Sequence, residues 1–88
     1  MSELADAVNA VLHAAEERLR GSDIEAVARA PEHVVTLLAA GEDDVAYETL
    51  CENLHEDDVA VARGLLSSLR AAVRGAGADM ALIETLLI

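Results

Sequence analysis

Phenylalanine and tryptophan are absent from this 88-residue chain, and Tyr47 is its one aromatic residue. All six basic residues are arginine. Such a chain has neither the stacking platform nor the basic surface that nucleic-acid binding demands. Positive charge is scarce throughout: 17 acids leave a net charge of −11, which repels phosphate and anionic membrane surfaces alike. Partners are therefore expected to be basic. Cys51 is alone, so no intramolecular disulfide can form and a reducing compartment is expected. No apolar run approaches the ~18–20 residues that span a bilayer. The opening Met1-Ser2-Glu3-Leu4-Ala5-Asp6 has early acids and neither a basic nor an apolar leader region, so a cytoplasmic protein is expected. Strict apolar–polar alternation and Asn-Gly or Asp-Gly hairpin signals are missing too, which argues against β-structure.

What the chain does have is apolar content. A hydrophobic fraction of 53% is too high for a disordered tail in spite of the charge. Scaling relations give a folded surface near ~4,900 Å² and burial of about 63% of the unfolded surface, enough for one modest core. A single domain over residues 1–88 follows.

Helical periodicity carries the architecture. Leu4, Val8, Val11, Leu12, Ala15 and Leu19 recur at steps of three and four, predicting a helix from Glu3 to Arg20 with Ser2 as cap and Gly21 as a left-handed end. Ser22-Asp23-Ile24-Glu25 reads as a capping box for a short second helix that breaks at Pro31. Pro31 would open another helix holding Val34, Val35, Leu37 and Leu38 and ending at Gly41; one proline-containing helix is the alternative. Ala46, Tyr47, Leu50, Cys51 and Leu54 define a helix over 45–56. Asp57 and Asp58 are expected to cap the next helix, with Ala62, Leu65, Leu66, Leu69, Ala72 and Val73 inward and Gly75-Ala76-Gly77 at its close. Asp79 would cap a last short helix over 80–87. The sum is an all-α fold, a compact antiparallel bundle of four to five amphipathic helices.

Catalytic and metal chemistry find little to work with. Glu52 and His55 have the Glu-x-x-His spacing of di-metal bundles, but His13 and His33 have alanine where a second glutamate is needed. Cys51 and His55 supply at most two zinc ligands, and a structural site wants four. Cys51 lies on the apolar stripe, where burial raises a thiol's pKa. Ser67 and Ser68 lack a glycine elbow, Glu16 and Glu17 point to different azimuths, and no phosphate-cradling glycine loop occurs. No enzyme activity, metal or cofactor is expected. Arg63, Arg70 and Arg74 share a helix side and are expected to pair with acids of a neighbouring helix.

The informative feature is the stretch from Glu42 to Asp58. It carries Glu42, Asp43, Asp44, Glu48, Glu52, Glu56, Asp57 and Asp58 and no arginine. Asp44, Glu48, Glu52 and Glu56 are spaced by four, so a helix gathers them into one carboxylate ridge. Like charges at that spacing oppose helix formation by about 0.2–0.5 kcal/mol per pair, and a surface selected for stability alone would intersperse cations. A solvated, solubilising face is the plain reading; a docking surface for a basic partner is the functional one.

The same stretch resembles a known family. Gly41, Glu42, Ala46, Glu48, Leu50, Cys51, Asn53, Leu54, Glu56 and Asp58 match the central motif of the Maf-type immunity proteins. Leu82, Ile83 and Leu86 are similar to its apolar C-terminal helix. Tyr47 and His55 depart from it, standing where an aliphatic and an aromatic residue are usual. The resemblance implies an all-helical, non-catalytic antitoxin of a polymorphic or contact-dependent inhibition system. Such a protein binds its cognate toxin, often a nuclease, in the producing cell's cytoplasm and blocks it in a 1:1 complex. The expected toxin-binding residues are the eight acids from Glu42 to Asp58. Two other classes compete: an acidic helical adaptor or carrier, and a homodimeric helical regulator. Acyl carrier proteins share the size and acidity, but their Asp-Ser-Leu attachment site does not occur here.

Overall fold

Five helices form in a computed structural model, which describes residues 2–88. They are α1 (Glu3–Arg20), α2 (Glu25–Ala39), α3 (Asp43–Glu56), α4 (Arg63–Ala76) and α5 (Ala81–Leu87). The expected all-α bundle is what forms, and its surface of 4996 Å² is close to the value that chain mass predicts. α1 packs against α2, α3 and α4, while α3 packs against α1, α2 and α5. The molecule measures 34 × 30 × 18 Å, thin in one direction.

α1 follows its pattern closely. All six stripe residues are buried, and Ser2 Oγ accepts from the Ala5 N–H at 3.0 Å. Gly21 ends the helix with φ −83°, so the expected left-handed residue is not used there.

α2 corrects two expectations. It is one continuous helix with Pro31 inside it, the alternative reading rather than two helices. A proline in a helix interior costs about 3 kcal/mol through the missing N–H and ring clash. Here the ring is fully buried beside Val27, Ala30 and Val34, so apolar burial offsets the loss. The capping box does not form either: Ile24 caps the helix without a side-chain bond, and Ser22 Oγ accepts instead from the Ile24 N–H at 3.1 Å. Of the apolar residues on this part of the helix, Val34 is buried while Val35 is 52% exposed.

Three helices end alike. At α2 the Gly41 and Glu42 N–H groups bond to Leu38 and Leu37 carbonyls; at α3 those of Asp58 and Val59 bond to His55 and Leu54; at α4 those of Gly77 and Ala78 bond to Arg74 and Val73. Each is a Schellman closure, which requires a left-handed residue just past the helix. Gly41 (φ 76°) and Gly77 (φ 70°) supply it without strain, whereas Asp58 (φ 52°) supplies it with a side chain attached. Asp57 and Asp58 therefore terminate α3 instead of capping α4. That helix starts later, at Arg63, after the irregular residues 59–62 and without a side-chain cap, so Ala62, expected inside, lies exposed before it.

α5 has seven residues, too few to be stable alone. Ile83 buries fully in the shared core, and Leu82, Leu86 and Leu87 pack partly against it. Asp79 does cap the helix as expected, its Oδ1 accepting from the Ala81 N–H at 2.9 Å. A second cap comes from α3: the Tyr47 hydroxyl accepts from the Ile83 N–H (3.1 Å) and donates to the Asp79 carbonyl (2.6 Å).

Candidate interaction surface

The face of α3 is set by its buried side. Ala46, Tyr47, Leu50, Cys51 and Leu54 all point into the core, as their spacing predicts, which turns the acids of α3 outward. Asp44, Glu52 and Glu56 are exposed and Glu48 is half buried. Residues 44–56 rise about 18 Å along the axis, and each step of four overshoots a full turn by about 40°. Adjacent members are thus true neighbours, while the ridge as a whole winds about a third of a turn. Glu42 leads into the helix, exposed, and Asp57 and Asp58 extend the acidic strip past its end.

Asp43 is employed differently from its neighbours. It is half buried, and Ser2 Oγ donates to its Oδ2 at 2.6 Å. The same Ser2 caps α1, so one hydroxyl ties the N-termini of α1 and α3 together. The spacing of 41 residues between them left no local signal for this contact.

Charge pairing divides the surface in two. Arg20 bonds to Glu16 (2.8 Å) and approaches Glu32 (3.6 Å); Arg29 pairs with Glu25 (3.1 Å), and Arg70 with Glu84 of α5 (2.7 Å). Among the described residues, no ion pair involves any of the eight acids from Glu42 to Asp58. Arg70 meets the expectation of pairing with a neighbouring helix; Arg63 and Arg74 form no ion pair among the described residues. The acids near the C-terminus of α3, Glu52 and Glu56, also face the negative end of the helix dipole. Only His55 stands among the basic side chains in that last turn.

Cys51 is buried, and burial pushes its thiol up to about 12, which suppresses the nucleophilic thiolate. Burial likewise raises the Tyr47 hydroxyl to about 12. Cys51, Glu52, His55 and Glu56 line one shallow recess together with Leu82 and Thr85. Among the described residues, no three His, Cys, Asp or Glu side chains gather in a way that could hold a metal ion. Ser67 and Ser68 are exposed on α4, and Glu16 is engaged by Arg20. No helix among the described residues is long and apolar enough to cross a membrane.

Compared with protein-family models, with curated proteins and with solved structures, the chain has no match.

Proposed function

We propose that this protein is a stoichiometric inhibitor, an immunity protein that binds a basic toxin domain, a nuclease or ribonuclease, through the acids of α3 and its flanking turns. One observation carries the reading: the chain's salt bridges use acids outside residues 42–58 and leave that run unpaired among the described residues. Arg20, Arg29 and Arg70 neutralise acids elsewhere, so none of these three offsets the negative charge of α3. A uniform field of this kind speeds encounter with a basic partner and selects against acidic ones. The resemblance of Gly41, Glu42, Leu50, Cys51, Asn53 and Leu54 to the Maf-type motif points the same way and names the class of partner.

The physical logic of inhibition is charge substitution. A nuclease site built to hold phosphates is rich in cations. Asp44, Glu48 and Glu52 on a rigid helix can occupy such a cleft or cover the surface beside it, with Glu42, Asp43, Glu56, Asp57 and Asp58 around them. The rigidity comes from α1, α2 and α5, which hold α3 on its other sides.

The test is charge reversal at the middle of the ridge. Glu48→Lys together with Glu52→Lys is expected to slow association with the cognate toxin domain and to abolish protection, with helical content unchanged by circular dichroism. Raising salt should slow association of the unaltered protein, since exposed charges are screened beyond about 8–10 Å. Unchanged affinity in the double variant would remove the acidic ridge from the mechanism.

A further inference from the structure

Where α3 ends, the 57–62 segment, the start of α4 and the end of α5 enclose an open groove of about 510 Å³. Its lining includes Val59 and Val61 from the connecting segment, Leu66 from α4 and Leu86 from α5. Val59, Val61 and Leu86 are half buried, packed on the core from one side and open on the other. The acidic strip of α3 ends at this groove. Asp58 lines it, and Glu56 and Asp57, both exposed, precede it directly in the chain. The C-terminal pole of α3 adds partial negative charge at the same place. Arg63 and His55 are the basic side chains in the lining.

We propose that this groove receives an aliphatic side chain of the partner flanked by arginine or lysine, so that the recognised element is a basic segment with an apolar anchor. The proposal rests on the acidic-docking reading above and deepens it. Charge steers association, but tight binding needs a desolvated anchor near the centre of the contact. The exposed strip of α3 provides one exposed aliphatic residue, Val45, at the opposite end from Asp58. The groove adjoins the other end of that strip and sets apolar surface beside Asp58. Charge also decides against a second copy as occupant: each copy carries −11, and pairing would bring two acidic strips together.

Two capped peptides of equal charge test this, Arg-Leu-Arg-Arg-Leu-Arg and Arg-Ser-Arg-Arg-Ser-Arg, titrated into the ¹⁵N-labelled full chain. The leucine peptide is expected to shift the amides of Val59, Val61 and Leu86 and to bind about tenfold more tightly than the serine peptide. Its binding should weaken as salt rises. Ala60→Arg, at an exposed position of the groove lining, should erase the difference between the peptides without altering the rest of the spectrum, and Ala60→Ser should preserve it. Equal affinities with shifts confined to residues 44–56 would overturn the groove and leave the acidic surface standing. Salt-independent binding at the groove would overturn the proposal through its charge component, and the acidic-docking reading with it. Groove shifts on concentrating the protein alone would assign the groove to a second copy and overturn the proposal.

Discussion

The hydroxyl of Tyr47 on α3 donates to the carbonyl of Asp79 at 2.6 Å, and the same oxygen accepts from the Ile83 N–H at 3.1 Å. Both partners belong to the entry into α5, so one buried hydroxyl satisfies two backbone groups of a helix too short to persist alone. Tyr47→Phe keeps the ring and strands both groups, each carrying a desolvation cost. A loss of about 1–3 kcal/mol is expected in urea unfolding, with faster hydrogen exchange at Ile83. A variant as stable as the parent would show that α5 is held by apolar packing alone.

Stability should fall in alkali over a defined window. Burial raises Cys51 from 9.0 to about 12 and Tyr47 from 10.0 to about 12. In both cases the neutral form is favoured by folding, so the stabilisation is full below the unfolded pKa. It is lost as pH rises, from about 9 for the thiol and about 10 for the phenol, until about 12. Each group that ionises only in the unfolded chain contributes a slope of about 1.4 kcal/mol per pH unit. Urea midpoints measured from pH 8 to 11 give the slope, and Cys51→Ala should flatten its first part. A flat profile to pH 11 would contradict the burial of both groups.

Asp58 holds a left-handed conformation that Gly41 and Gly77 hold elsewhere at no steric cost. Asp58→Gly should therefore stabilise the free protein by about 0.5–1 kcal/mol, the relief of the side-chain strain exceeding the gain in unfolded-state entropy. The thermal midpoint reads this directly. The same change removes an acid from the groove rim, so affinity for a basic partner should decline while stability rises.

Neutralising the end of the ridge should separate stability from recognition in the same manner. Glu52→Gln with Glu56→Gln removes a like-charge pair at spacing four and two charges from the negative pole of α3. A gain of about 0.3–1 kcal/mol is expected at low salt, shrinking as salt is raised. Denaturation in dilute and in concentrated sodium chloride checks both the sign and the screening.

Most of the framework was legible in the linear chain. The stripe of α3 is legible residue for residue and that of α1 in all but Ala5, because the 3.6-residue period of an amphipathic helix is written locally. Helix endings at Gly41 and in Gly75-Ala76-Gly77 were legible, but the left-handed geometry expected at Gly21 is found at Gly41 and Gly77 instead. Pro31 misled for a local reason: its ring is fully buried, and its neighbours in the sequence do not record that burial. Ser22 misled likewise, since a capping box competes with the tighter turn that Ser22 makes to Ile24. The acids of residues 42–58 were visible as a cluster, but their lack of pairing was not, because where arginines land is decided by helix docking.

Helix existence, the apolar faces and the one-sided charge were thus determined by the amino-acid order alone, since each depends on residues within a few turns of one another. Tertiary structure decided the continuity of α2, the bond of Ser2 to Asp43, the capping of α5 by Tyr47 and the groove beside Asp58. Those features join groups as many as 41 residues apart. A buried polar group or an exposed cavity is fixed by which surfaces exclude water from each other, and that is a property of the packed chain.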